Sequence, residues 1–118
     1  MSPDDYQQTL NEAYKLLQRL GISSKYRGYH HAAHSILLCV QQPDRILLIS
    51  KYVYPAVAKR YRTNWQAVER NIRTINTVCW RMHPELLCEL SQCQLAHRPT
   101  AKEFIAILST YLLSNKDA

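Results

Sequence analysis

Polar side chains able to hydrogen-bond with nucleobases recur at helical spacing in the middle of this chain. At about 100° per residue they share one side of a helix. Four lie in a narrow band and two flank it: Gln66, Arg70, Arg73 and Thr77, with Glu69 and Thr74 beside them. An arginine can donate two hydrogen bonds to guanine, and a glutamate can accept one from cytosine. We therefore predict base contacts from Gln66, Glu69, Arg70, Arg73 and Thr74, with Glu69 and Arg70 as the main ones.

An apolar stripe on the opposite side of this segment predicts which way the helix faces. Its residues recur in steps of three and four: Trp65, Val68, Ile72, Ile75, Cys79 and Met82. Thr63, followed three residues later by Gln66, matches a capping box, so the helix should begin there and end before Pro84. We expect this helix to span about residues 64–81 and to bury the whole stripe, while Ala67 leaves room for close approach to a ligand.

The net charge of +6 lies entirely in residues 51–81, where seven basic residues accompany one acid, and the rest of the chain balances. A charge confined to one structural unit indicates contact with phosphates. Pro55 can begin a short helix before a turn at Arg62, which gives the order helix, turn, helix. We predict contacts with the DNA backbone from the first helix and the turn, at Lys51, Lys59, Arg60, Arg62, Thr63 and Asn64. The alternative is a solvated outer face, which is usual for surface helices.

The composition is typical of one all-α domain. The chain has 118 residues, of which 47% are apolar and 20% charged, and only two glycines, while helical periodicity recurs throughout. We expect one domain over residues 1–118, a compact bundle of about six helices that contains a helix-turn-helix. The apolar runs are too short to cross a bilayer and the start of the chain has no secretory segment, so we expect a cytoplasmic protein without membrane contact.

Start and stop signals mark two helices in the first third of the chain. Ser2, followed by proline and two aspartates, predicts a helix start, and Gly21 supplies a left-handed stop. A second apolar stripe follows Gly28 and is interrupted at Pro43. Residues 46–54 contain strong strand formers, and periodicity does not decide between helix and strand there.

The last third of the chain carries a second well-marked helix start. Leucines after Pro84 suggest a short helix, and a polar loop covers residues 94–99. Thr100 with Glu103 forms a capping box, which predicts the start of the last amphipathic helix.

Metal binding and catalysis are the weaker hypotheses. Four zinc-type ligands occur late in the chain, at His83, Cys88, Cys93 and His97. Their gaps are wider than the paired spacing usual in zinc fingers. His30 and His34 lie four apart, but two histidines without a third ligand more often form a solvated face. Cys79 falls in the apolar stripe, where a reactive thiolate is disfavoured. We expect reduced cysteines, no metal, no cofactor and no enzyme activity.

The sequence also resembles the C-terminal DNA-binding domain of stage-zero sporulation protein A, the response-regulator transcription factor of endospore-forming bacteria. Three groups of residues carry the resemblance, which spans about residues 10–113: Lys51-Tyr52-Val53-Tyr54-Pro55 with Ala58-Lys59, Val68-Glu69-Arg70 with Ile72-Arg73 and Trp80, and Pro99-Thr100 with Glu103-Phe104-Ile105-Ala106. It implies a domain core over residues 10–113, six helices with residues 46–54 helical, and sequence-specific binding to a short promoter element. It also implies Glu69 and Arg70 at bases, Arg73 at the DNA surface, and Arg98 reaching an adjacent groove, where we expect it to contact the DNA backbone.

The chain departs from the usual family pattern on the side that would face DNA. Gln66 and Ala67 stand where the family usually has serine and arginine, and Thr74 stands where histidine is common. Losing one arginine contact can change affinity by about tenfold or more, so we expect an altered or weaker DNA site. Family members also carry a receiver before this domain, for which 118 residues have no room. Dimerisation driven by phosphorylation is therefore not inferred.

These observations lead to one main hypothesis and one alternative. The main hypothesis is a transcription regulator of the sporulation-factor type that binds double-stranded DNA, with the helix over residues 64–81 in the major groove. A dimer on adjacent sites and contact with the transcription machinery would be further interactions. The alternative is a protein-interaction module that keeps the fold while DNA reading is weakened or lost.

Overall fold

The computed structural model describes residues 2–116, and these residues form helices joined by short turns, with no strand among them. The helices are α1 (Pro3–Arg19), α2 (Arg27–Gln41), a 3₁₀ helix (Pro43–Leu48), α3 (Ile49–Tyr52), α4 (Tyr54–Arg60), α5 (Trp65–Met82), α6 (Pro84–Ser91) and α7 (Ala101–Lys116). The all-α prediction is confirmed. Seven α-helices are described rather than about six, because the segment before Tyr54 forms a separate single turn, α3.

The first helix begins and ends at the predicted residues. The Ser2 hydroxyl accepts a hydrogen bond from the Asp5 amide at 3.2 Å, which caps α1. Gly21 adopts a left-handed backbone, with φ of 92°, directly after the helix. The Ile22 amide then donates back to the Leu17 carbonyl at 3.0 Å, so the last turn is satisfied by the geometry that glycine allows.

Helix α2 is the centre of the bundle and packs against α1, α4, α5 and α7. The predicted stripe is buried, but so are most other residues of the helix, including His31, His34 and Ser35. At Gly28 the backbones of α2 and α5 approach closely, because an added Cβ would overlap the Asn71 carbonyl of α5. This glycine therefore lets the central helix lie directly against α5.

The ambiguous segment is helical, as the family resemblance implies. Pro43 begins the 3₁₀ helix, and α3 follows directly from Ile49. The 3₁₀ helix buries none of its side chains, and Leu47 and Leu48 are 69% and 54% exposed. The strand propensity of this segment therefore did not predict its conformation, because the described residues contain no strand with which the segment could pair.

Helices α4 and α5 are joined by residues 61–64, in which Arg62 has a positive φ of 55°. The prediction that Thr63 caps α5 is wrong by one residue. Asn64 is the N-cap, and its side-chain oxygen accepts from the Ala67 amide at 2.8 Å. The Thr63 amide instead donates to the Ala58 carbonyl at 2.9 Å, which ends α4 and leaves the next residue, a strong capping type, to begin α5.

The apolar stripe of α5 is buried over its middle and exposed at both ends. Val68, Ile72, Ile75 and Cys79 are fully buried. The predicted burial of Trp65 and Met82 is wrong, since they are 38% and 54% exposed. These two residues lie in the first and last turns, where the helix extends past the elements that cover its centre.

The second predicted capping box is confirmed and positions the start of α7. The Thr100 hydroxyl accepts from the Glu103 amide at 3.1 Å, and the Glu103 carboxylate accepts from the Thr100 amide at 2.8 Å. The hydrogen bond from the Thr100 backbone lowers the pKa of the Glu103 carboxyl. Among residues 2–116, no helix combines the length and the apolar character that crossing a membrane requires.

Candidate nucleic-acid interface

The predicted base-contacting residues share one accessible surface of α5. Gln66, Arg70, Arg73 and Thr74 are exposed, and Glu69 is partly exposed. We call these five residues the α5 outer face. Ala67 does not belong to this surface, since only 8% of it is exposed. That the small Ala67 side chain leaves room for close approach of a ligand stays a prediction.

The charged members of the α5 outer face are in two different states. Glu69 Oε1 pairs with Arg73 Nη2 at 3.1 Å, one helical turn away. Such an exposed pair contributes only about 0.3–0.5 kcal/mol, so either partner can leave it for a stronger contact. Arg70 is different, because its guanidinium has no side-chain or carbonyl partner in the described part of the chain. It is thus the cation on this face whose hydrogen-bond donors are all available.

The loop after α6 is attached to α5 by two adjacent residues. The Thr77 hydroxyl donates to the Arg73 carbonyl at 3.0 Å and accepts from Arg98 Nη1 at 2.9 Å. The buried Asn76 side chain donates through its nitrogen to the Pro99 carbonyl at 2.6 Å. The loop is therefore held against α5, and the Arg98 guanidinium lies beside the outer face of that helix.

The predicted backbone-contacting residues lie on α3, at the end of α4 and in the turn, except Arg98, which lies in the loop after α6. All are exposed: Lys51, Lys59, Arg60, Arg62, Thr63, Asn64 and Arg98. Lys59 and Arg60 end α4, and the Lys51 ammonium lies 5.3 Å from the centre of the Tyr52 ring. The side-chain oxygen of Asn64 is engaged in the cap, so only its nitrogen can serve as a donor to phosphate.

A cleft of about 370 Å³ opens between α3, the start of α4, α5, and the start of α7. Its polar residues come from four separate parts of the sequence and include Ser50, Tyr54, Glu69, Arg73, Asn76, Arg98 and Lys102. We call it the α5–α7 cleft. Four of these residues were not predicted from the sequence as site residues: Ser50, Tyr54, Asn76 and Lys102. The capping box at Thr100 could have indicated Lys102, because it places this residue in the first turn of a helix that begins shortly after Arg98.

Behind the turn, aromatic and histidine rings from α1, α2 and the end of α4 form a second polar group. We call it the tyrosine-histidine cluster, and its members are Tyr14, Tyr29, His30, His31, His34 and Tyr61. The Tyr61 hydroxyl lies 2.6 Å from His34 Nδ1, and the Tyr14 hydroxyl lies 2.9 Å from His30 Nδ1. The prediction that His30 and His34 form a solvated face is wrong, because both have ring partners and His34 is buried.

Burial favours the uncharged forms of three members of the tyrosine-histidine cluster and of the two buried thiols. Burial lowers the pKa of His31 and His34 below the ordinary value and raises that of Tyr14. Burial also raises the pKa of the Cys39 thiol to about 11 and that of Cys79 to about 12. Within residues 2–116, no three His, Cys, Asp or Glu side chains are placed to hold one metal ion.

Two helices joined by a four-residue turn, with the second presenting a basic outer face, define a helix-turn-helix domain. A comparison with protein families identifies the chain more closely. The family model described as "Sporulation initiation factor Spo0A C terminal" matches residues 13–112. The chain belongs to this family, whose domain is a DNA-binding domain of a sporulation transcription regulator rather than an enzyme. The resemblance found in the sequence is thereby confirmed.

Proposed function

We propose that this protein binds one short double-stranded DNA element in a sequence-specific way, with α5 in the major groove. The observation that carries the proposal is the α5 outer face itself. It places two exposed arginines and a partly exposed glutamate on a helix whose opposite side is buried in the core. Side chains of these types distinguish base pairs in the major groove, and an exposed helix is the element that fits there.

Within that face we assign different roles to the charged residues. Arg70 has free donors and is suited to a two-bond contact with guanine. Glu69 and Arg73 hold each other in place before DNA arrives and exchange that weak pair for contacts with DNA. Gln66 and Thr74 complete the base-contacting set at the margins of the face.

The basic residues around the turn would bind phosphates and set the position of α5 on the duplex. Lys59, Arg60 and Arg62 lie at the end of α4 and in the turn, which is where a helix-turn-helix meets the backbone. Thr63, the nitrogen of Asn64, Lys51 and Arg98 would extend this contact on either side. Because each neutralised phosphate releases counterions, the affinity should fall steeply with salt.

We further propose that the chain acts as one domain in the cytoplasm, with its core over residues 10–113. Two copies would bind adjacent DNA elements, and the bound protein would contact the transcription machinery. The contact with the transcription machinery rests on the membership of the chain in a family of sporulation regulators.

The experiment is a selection of binding sites from a random duplex library, followed by fluorescence anisotropy at several salt concentrations. We expect one enriched element, bound more tightly than a scrambled duplex of the same length. The affinity should fall with a log–log slope of about −0.9 per contacted phosphate. Absence of both enrichment and salt dependence would contradict the proposal.

One observation favours a second candidate, a protein-interaction module with weakened DNA reading. Leu47, Leu48 and Tyr52 are 69%, 54% and 51% exposed, which is a concentration of apolar side chains on one short segment. Lys51 and Lys102 adjoin it, and Lys102 Nζ lies 3.5 Å from the Leu47 carbonyl. If this apolar segment were the functional surface, Leu47→Ser would abolish the regulation of transcription in cells while leaving the affinity for DNA unchanged.

A further inference from the structure

The α5–α7 cleft contains a buried tyrosine whose hydroxyl has no partner in the described part of the chain. Tyr54 is 1% exposed and lines the cleft, yet its hydroxyl makes no hydrogen bond with protein. Buried polar groups are nearly always paired, so a specific exception requires an explanation. Burial raises the pKa of Tyr54, Glu69 raises it further and Arg73 lowers it. The hydroxyl therefore stays protonated and keeps a donor that the described part of the chain does not use.

The same cleft gathers positive charge from three separate segments. Arg73 comes from α5, Arg98 from the loop, and Lys102 from the first turn of α7, while Glu69 is the single acidic residue among those that line it. Glu69 is already paired with Arg73. The cleft therefore keeps two cations, Arg98 and Lys102, that are not balanced by an acid lining it.

The start of α7 adds backbone donors on the same side. The first amides of a helix have no intrahelical acceptors, and they favour a nearby anion. Glu103 is bonded to the amide of Thr100, which lies outside the helix, so its carboxylate does not occupy the amides of Ala101 and Lys102. Those two residues line the cleft. Asn76 contributes differently: it holds Pro99 in place, and its own oxygen can only accept, so it is not part of an anion site.

We propose that the α5–α7 cleft binds a phosphate group, with Lys102, Arg98 and the first amides of α7 holding its charge and the Tyr54 hydroxyl donating to it. The phosphate can belong to the DNA backbone next to the element contacted by α5 or to a free phosphate compound. Both sources offer the same oxygens to the same donors. Only the first source depends on the proposed function, so the two are tested separately.

The first arm uses inorganic phosphate and the full chain, with amide shifts followed by NMR at constant ionic strength. The variants are Tyr54→Phe, which keeps the buried ring, and Lys102→Ala. The matched control is Lys15→Ala, at an exposed position of α1. We expect saturable shifts at Ala101 and Lys102 in the wild type and in the control. Either cleft variant should weaken the binding by about tenfold, the loss of one hydrogen bond or ion pair to a charged group.

The second arm uses the selected duplex with one neutral methylphosphonate linkage placed at each position in turn. If the phosphate is that of DNA, one linkage should lower the affinity of the wild type about tenfold. The same linkage should lower the affinity of Tyr54→Phe no more than the adjacent linkages do. If inorganic phosphate binds the cleft but every linkage costs Tyr54→Phe as much affinity as it costs the wild type, the ligand is a free phosphate compound. Failure of DNA binding altogether would contradict the proposed function and leave the first arm intact.

Thermal unfolding of Tyr54→Phe separates a binding role from a purely structural one. Removing an unpaired buried hydroxyl should leave the unfolding temperature unchanged or raise it. A raised temperature together with weaker phosphate binding supports the proposal. Unchanged affinity for both inorganic phosphate and DNA in Tyr54→Phe and Lys102→Ala would overturn it.

Discussion

The α5 outer face and the tyrosine-histidine cluster are both rich in polar side chains, but they use them in opposite ways. In the cluster the rings are largely buried and contact each other, and burial lowers the pKa of His31 and His34. On the α5 outer face the three charged side chains are exposed or partly exposed, and they are either unpaired, as Arg70 is, or held by one weak pair, as Glu69 and Arg73 are. Pairing within the protein therefore marks the polar groups that hold the turn, whereas spare donors mark those available to a ligand.

The largest expected effect is on stability and comes from the tyrosine-histidine cluster. Tyr61→Ala removes a half-buried ring that contacts His30, His31 and His34 at the end of α4. We expect a loss of about 2–4 kcal/mol in the free energy of unfolding, below the range for a fully buried aromatic residue. Tyr61→Phe, which loses only the hydroxyl, should cost about 1 kcal/mol. Denaturant unfolding measures both, and equal losses would show that packing of the ring is not what matters.

On the α5 outer face the effect should fall on binding instead. Arg70→Ala should weaken binding to the selected element by about 1–3 kcal/mol and relax the preference at one base pair. Its free energy of unfolding should stay within about 0.5 kcal/mol of the wild type, because the side chain is exposed and unpaired. Anisotropy against the element and its single-base variants gives the first quantity. A uniform loss over all duplexes would mean that Arg70 contacts phosphate.

Lys59 lies beside that face and should show a smaller, non-selective effect. Lys59→Ala should weaken binding to every duplex alike and reduce the magnitude of the log–log salt slope by about 0.9. Lys15→Ala is the charge-matched control on α1, and it should leave the slope unchanged. A change in base preference for Lys59→Ala would contradict the division between base and backbone contacts.

The smallest expected effect is that of mild acid on the unfolding temperature. It should come from the tyrosine-histidine cluster and thereby distinguish it from the α5 outer face. The pKa values of His31 and His34 are lower in the folded protein than the ordinary value of 6.5, so the unfolded chain binds protons first. This contribution to stability is full above about pH 6.5 and is lost as the pH falls through the folded values. Unfolding temperatures between pH 7.5 and 5.5 should therefore decline, and His34→Gln should flatten the decline while His97→Gln should not. If the unfolding temperature of His34→Gln declined as steeply as that of the wild type, the assignment of the decline to His34 would be contradicted.

Local sequence signals predicted the elements well, because capping and stop residues act within a few positions. Ser2, Gly21 and the Thr100 capping box each end or begin a helix where expected. At Thr63 the signal was right about the turn and wrong by one residue about the cap, because two adjacent residues can both serve. Residues 46–54 stayed open since their propensity favours strands, and packing decides the outcome.

Contacts between segments that are far apart in the sequence could not be predicted from it. The Arg98 bond to Thr77 spans 21 residues, and the Asn76 bond to Pro99 spans 23. The α5–α7 cleft exists only because these bonds bring the loop against α5. Likewise, His34 could not be separated from a solvated histidine before α2 was known to lie at the centre of the bundle.

The most direct test of the central claim is an NMR titration of the labelled chain with the selected duplex. If α5 binds in the major groove, the largest amide shifts should fall on residues 64–74, with smaller ones at residues 59–63 and at Arg98. The tyrosine-histidine cluster should remain nearly unchanged except at Tyr61, which adjoins the turn. Shifts centred on residues 44–52, with residues 64–74 unaffected, would show that another surface binds DNA and would contradict the account.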